Sequence, residues 1–122
     1  MGVQTAMIID DDADLGLLMI ATLEKRKIHS MAVHSLDDAA NYLTYLKPTV
    51  IFLDNSFPEG LGVNFIQEIK SADPEIKIIM MTADTDSWLE DKAIEEGAIK
   101  FLKKPLSLDV INTVLDELDF KR

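Results

Sequence analysis

Five residues of this chain have types and spacings that could do chemistry together: Asp10, Asp11, Asp54, Thr82 and Lys104. Asp10 and Asp11 close the apolar run "AMII" and open "DDDADLG", so like charges crowd together, at a cost unless solvent or a cation screens them. Asp54 ends "VIFLD", Thr82 ends "IKIIMMT", and Lys104 follows "IKFLK". Three acids, a hydroxyl and an amine thus sit at the ends of apolar runs. Clustered hard oxygens suit Mg²⁺, which takes one or two carboxylates plus phosphate oxygens and keeps several waters. A carboxylate beside such a metal can also be a nucleophile that forms an acyl phosphate, while metal, ammonium and hydroxyl neutralise the transferring group. Asp54 suits that role, because it stands alone after its run, and Pro58, Gly60 and Gly62 shape an open loop behind it.

For these residues to meet, the runs that carry them must lie side by side and point the same way. Runs rich in β-branched residues predict strands at Ala6 to Ile9, Ile28 to Val33, Val50 to Leu53, Ile76 to Met81 and Ile99 to Leu102. Helical periodicity between them predicts helices at Asp14 to Arg26, Leu36 to Leu46, Val63 to Ser71, Ser87 to Glu96 and Leu108 to Leu118. Ser35 and Ser107 serve as N-caps, and Pro48, Pro74 and Gly97 punctuate the exits. Five βα units in strict alternation imply an α/β doubly wound three-layer sandwich, a parallel sheet covered by helices on both faces. Ligands of such sheets sit beyond the carboxyl ends of the strands, where the five residues fall.

At 122 residues and 48% hydrophobic content, the chain is long enough for one domain and too short for two. No repeat, linker or low-complexity stretch divides it, so a single domain over residues 1–122 is expected, either stand-alone or cut from a longer regulator. The longest apolar-rich run, "LGLLMIATL", is broken by Gly16 and Thr22, and no membrane span is expected. Early acids and the lack of a basic leader argue against a signal peptide, and the absence of cysteine suits a reducing compartment, so a cytoplasmic location is expected. A net charge of −10 argues against direct nucleic-acid binding and for a basic partner or a divalent cation.

The order and spacing of several short motifs resemble the response-regulator receiver domains of two-component signalling, over almost the whole chain. They are the paired acids Asp10 and Asp11; "FLDNSFPEGLG"; "MMTA" with Thr82; and "EEGAIKFLKKP" with Gly97, Phe101, Lys104 and Pro105. The resemblance implies a flavodoxin-like fold with strand order 2-1-3-4-5. It implies that Asp54 accepts phosphate from the phosphohistidine of a sensor histidine kinase or a histidine phosphotransfer protein. Asp11, Asp54 and the backbone carbonyl of Ser56 would ligate Mg²⁺, with Mn²⁺ as a substitute and Asp10 helping through water. Lys104 would bind the phosphoryl group and Thr82 would swing to meet it. Phe101 would change rotamer with Thr82 and carry the signal to the face of the fourth helix, fifth strand and fifth helix, where phosphorylation can drive homodimer formation. The bond before Pro105 would be cis. The domain would be no enzyme beyond its own phosphorylation and dephosphorylation.

Asn55, Ser56 and Phe57 replace the family's commoner aliphatic and methionine residues, which bears on dephosphorylation rate, and Phe101 lacks the commoner tyrosine hydroxyl. Glu90 and Asp91 stand where the family buries small or aliphatic residues. Asp12 and Asp14 read as the start of the first helix, His29 and His34 as surface or half-buried groups, and Met80 and Met81 as strand core. Projected from Ala93 and Ile94, the fourth helix turns Trp88 outward as a candidate partner contact. The first helix is apolar nearly all round, so Leu17 and Ala21 on its outer face are candidates for docking a kinase or phosphotransfer domain. Two rival readings remain. One is a degenerate receiver that acts as an interaction module without phosphorylation. The other is a Mg²⁺-dependent phosphatase of the haloacid dehalogenase type, against which Asp14 stands where that motif wants Thr or Val.

Overall fold

A computed structural model describes residues 4–84 and 86–118 of the chain. Its strands are β1 (Thr5–Ile9), β2 (His29–Val33), β3 (Val50–Asp54), β4 (Ser56–Phe57), β5 (Gly60–Leu61), β6 (Lys77–Thr82) and β7 (Lys100–Lys103). Its helices are α1 (Ala13–Glu24), α2 (Leu36–Tyr42), α3 (Ile66–Ala72), α4 (Ser87–Glu96) and α5 (Leu108–Glu117). Five strands form one parallel sheet in the order β2-β1-β3-β6-β7, which is 2-1-3-4-5 when sheet strands alone are counted. The doubly wound sandwich expected from the alternation, with the flavodoxin-like strand order implied by the resemblance, is the fold observed. No helix among the described residues is long and apolar enough to cross a membrane.

Near-continuous apolar strands are explained by burial on both faces. Met7, Ile9, Ile51, Leu53, Ile78 and Met80 enter one core with Ala39, Ile66, Ile69, Leu89 and Ala93 from α2, α3 and α4. Their alternate neighbours Ala6, Ile8, Val50, Phe52, Ile79 and Met81 enter the other with Met19, Leu23, Ile111, Val114 and Leu115 from α1 and α5. The period-2 alternation of side chains along a strand divides the two cores.

Boundaries moved where backbone groups found shorter-range partners. The first helix stops at Glu24, two residues short of the expected Arg26, because Arg26 and Lys27 donate to the carbonyls of Leu23 and Glu24 in tighter turns and Lys27 takes φ 61°. The second stops at Tyr42 and not at Leu46, since Thr44 Oγ1 donates to the Asn41 carbonyl and the 44 and 45 amides make tight turns. Leu46 still packs against the core, so the apolar period outlasts the helix. The predicted third helix begins as a 3₁₀ turn, Gly62–Phe65. The β4–β5 hairpin was not expected, and Ile94, used to project the inner stripe of α4, lies outside at 48% exposure.

α1 is seated by three devices. Asp12 caps it, its carboxylate accepting from the Asp14 and Leu15 amides at 3.0 and 3.2 Å, and Ser35 and Ser107 cap α2 and α5 in the same way. Gly16 lies on β2, where an added Cβ would come within 3.1 Å of the Ala32 methyl. Buried Arg26 donates to Asn112 Oδ1, the Asn112 carbonyl and Asp116 Oδ1, each at 2.9 Å, tying the end of α1 to α5. This seat places Asp10 and Asp11 just ahead of the helix start. Gly16→Val should lift α1 from the sheet and lower stability by about 2 kcal/mol in urea unfolding, the usual scale of overpacking. A loss under about 0.5 kcal/mol would show that the contact yields freely.

Candidate functional site

Because every strand of the main sheet runs the same way, the carboxyl ends collect at one rim. Register aligns Ile9 with Leu53, Asp54 with Met81 and Thr82 with Lys103, so Asp10, Asp54, Thr82 and Lys104 emerge together. The Asp10 amide donates to the Val33 carbonyl at 3.0 Å and the Lys104 amide to the Thr82 carbonyl at 2.9 Å, fixing both strand exits. Lys104 Nζ lies 2.7 Å from Asp10 Oδ2 and 3.3 Å from Asp54 Oδ1, an ammonium between two buried carboxylates. Asp10 Oδ1 accepts from the Asp12 amide at 2.8 Å, and His34 Nδ1 lies 3.1 Å from the Asp10 carbonyl oxygen. Thr82 Oγ1 accepts from the Asp84 amide at 3.0 Å. The Lys104–Pro105 peptide bond is cis.

The charges do not balance. Burial first, then the Asp10 charge, pushes the Asp54 carboxyl above its ordinary value of 3.8, and Lys104 and the Asn55 amide only partly oppose this. For Lys104, burial alone would lower the ammonium. Its hydrogen bond to Asp10 and the charges of Asp10 and Asp54 outweigh that and raise it above 10.5, so the cation persists at neutral pH. Exposed Asp11 adds a third carboxylate. Among the described residues, Asp10, Asp11 and Asp54 each offer an oxygen within 4.8 Å of the others. Ligands of one octahedral ion stand roughly 3–4 Å apart, a spread of the same order. Hard donors, this spread and the surplus negative charge fit Mg²⁺ or Mn²⁺.

The loop behind Asp54 is more ordered than an open loop. β4 and β5 pair across Pro58 and Glu59, with Gly60 at φ 146°. Asn55 closes the hairpin base: its carbonyl accepts from the Gly62 amide at 2.8 Å and its Oδ1 from the Val63 amide at 3.0 Å. A Cβ on Gly62 would overlap the Asp54 carbonyl oxygen, so only glycine lets the returning chain pass. Sequence reading singled out Asn55 only as a departure from the family pattern and missed the hairpin that it closes. The available signal was a two-residue turn, Pro-Glu, followed by glycine.

The family model of the response regulator receiver domain matches residues 6–116. This chain belongs to that family. The receiver is 29% identical over 105 residues to the response regulator protein PilR of Pseudomonas aeruginosa, a match covering 86% of this chain and 24% of PilR. It is 31% identical to the beryllofluoride-activated NtrC4 receiver domain dimer, with TM-score 0.86 and 95% of each chain covered. A Burkholderia pseudomallei response regulator, solved with a phosphorylated aspartic acid, calcium ion and citrate, superposes with TM-score 0.84 at 22% identity, covering 95% of this chain and 71% of that one. The receiver spans under half the length of the curated relatives it matches.

The remaining predicted positions fall as follows. Ser56 is exposed on β4, and Phe101 is half-buried against the core of α2, α3 and α4. Leu17 is 67% exposed and Ala21 is also exposed, on the outer face of α1. Trp88 is 48% exposed with Nε1 donating to Asp86 Oδ2 at 3.3 Å, while Leu89 beside it is buried. Glu90 and Asp91 lie on the exposed surface of α4, so the helix buries no charge there.

A carboxyl with a raised native value contributes stability that is present below the ordinary 3.8 and lost as pH rises through the native value. Without divalent cation, Asp54→Asn should therefore be more stable than the native receiver by about 1 kcal/mol at pH 7, with the gain fading on acidification, in urea unfolding at several pH values. A destabilised Asp54→Asn would show that Lys104 outweighs burial and repulsion. Lys104→Met leaves two buried carboxylates without their cation, and should cost about 3 kcal/mol at pH 7, partly restored by Mg²⁺. An unchanged midpoint would contradict this.

Proposed function

We propose that the receiver, acting over residues 1–122 as one domain in the cytoplasm, accepts a phosphoryl group on Asp54. The donor is the phosphohistidine of a sensor histidine kinase or a histidine phosphotransfer protein. The observation that carries this reading is the Lys104 ammonium held at 2.7 and 3.3 Å between the Asp10 and Asp54 carboxylates. An Asp54 oxygen attacks phosphorus, an O–P bond forms, the P–N bond breaks, and the imidazole leaves with that electron pair. Lys104, already within reach of both acids, turns to the phosphoryl oxygens. Asp10, Asp11, Asp54 and the Ser56 carbonyl would hold Mg²⁺, or Mn²⁺ in its place. The ion supplies positive charge to the phosphoryl oxygens as negative charge builds on them.

Thr82 exchanges its bond with the Asp84 amide for one to the phosphoryl group, and Phe101 follows it, biasing the α4–β7–α5 face between two states. The surface beside the site suits a docking partner. A groove of about 470 Å³ is lined by Asp12, Asp14, Leu15, Leu18, Ala83, Lys104, Pro105 and Leu106, and α1 also exposes Leu17 and Ala21. Trp88 is a candidate contact in a phosphorylation-driven homodimer, in line with the dimeric state of the NtrC4 receiver.

Intact-mass analysis after incubation with Mg²⁺ and acetyl phosphate should find one labile phosphoryl group on the native chain and none on Asp54→Asn. No adduct, together with no binding of beryllofluoride, would refute the phosphoacceptor reading in favour of an interaction module.

A further inference from the structure

Asn55 is 2% exposed, and its carbonyl and side-chain oxygen are both turned to the loop behind the acids. Its amide favours the charged form of the Asp54 carboxylate, its carbonyl accepts from the Gly62 amide at 2.8 Å, and its Oδ1 accepts from the Val63 amide at 3.0 Å. The last two amides open the 3₁₀ turn Gly62–Phe65 and have no earlier partner in that turn. Together the bonds close a ring around residues 56–61. Such a ring, with the β4–β5 pairing inside it, leaves the backbone carbonyls of the loop little freedom to turn, and the residue that closes it directly follows Asp54. Two further anchors bear on the hairpin: Phe57 packs against the core, and the Asp37 amide donates to Glu59 at 3.3 Å.

We infer that Asn55 is a positioning residue for the divalent cation, holding the Ser56 carbonyl and the Asp54 carboxylate in fixed relation through its bonds to Gly62 and Val63. The inference rests on the cation set proposed above. Its physical basis is preorganisation: a ligand oxygen already held in place loses less freedom on binding than one on a loose loop. Groups that orient metal ligands typically alter affinity by roughly 10- to 100-fold when removed. Asn55→Leu keeps the shape of the side chain and removes the acceptor, leaving the Val63 amide unpaired.

Calorimetric titration of Mg²⁺ into the native chain, Asn55→Leu and Ile111→Val separates positioning from general stability. Ile111 lies in the opposite core, so its variant lowers stability without touching the loop. Asn55→Leu should bind Mg²⁺ at least about 10-fold more weakly, while Ile111→Val matches the native chain. Binding by Asn55→Leu within about twofold of native would overturn the inference, and so would an equal loss in Ile111→Val. A native chain that takes up no Mg²⁺ overturns the cation reading and this inference with it. Mg²⁺ binding that depends on Asn55 in a chain that accepts no phosphoryl group would sink only the phosphoacceptor reading. Should Asn55→Leu fail to unfold cooperatively, the native chain answers by linkage: Mg²⁺ should slow amide hydrogen exchange at Gly62 and Val63, and unchanged rates would overturn the inference.

Discussion

Negative charge confined to the rim of a parallel sheet is the constraint around which this receiver is organised. Two buried carboxylates, Asp10 and Asp54, face one ammonium, and a third carboxylate stands at the edge. Burial makes each charge more costly and each attraction stronger, so the surplus negative charge weighs heavily and an incoming cation is strongly attracted. Such a site is responsive: adding a cation or a dianionic phosphoryl group changes which contacts are favourable. The raised Asp54 and the raised Lys104 express one imbalance from its two sides.

The fold meets this constraint with ordinary means. Apolar packing on both faces of the sheet carries the stability, so the rim can hold unfavourable charge without unfolding the domain. The cap of Asp12, the glycine seat of α1 on β2 and the Arg26 clamp to α5 place the first acids, and the Gly62 crossing places the loop behind Asp54. None of these groups touches a phosphoryl group in the proposed reaction. Each sets the direction from which a reacting group arrives.

Much of this was legible in the chain because its signals were local or periodic. Strand ends rich in Val, Ile and Met marked where Asp10, Asp54 and Thr82 would emerge, and alternation with helices implied parallel strands that bring those ends to one rim. Ser35, Ser107 and Asp12 announced helix starts through short-range hydrogen bonds that hold in any context. What escaped was decided by longer-range or competing partners. Asn55 reads as a polar residue after a strand, and only the return of the chain at Val63, eight positions on, gives its carboxamide a purpose. The end of α2 was obscured because Leu46 keeps the apolar period while Thr44 takes the Asn41 carbonyl. Ile94 shows the limit of projecting a stripe from two apolar residues, since acidic α4 leaves one of them outside.

The bond between Lys104 and Asp10 spans 94 positions of sequence and depends on β7, an edge strand paired only with β6. In the completed fold, any fraying of β7 withdraws the ammonium along with the strand. This edge strand is thus also the electrostatic keystone, and its attachment to β6 and the charge state of the rim rise and fall together.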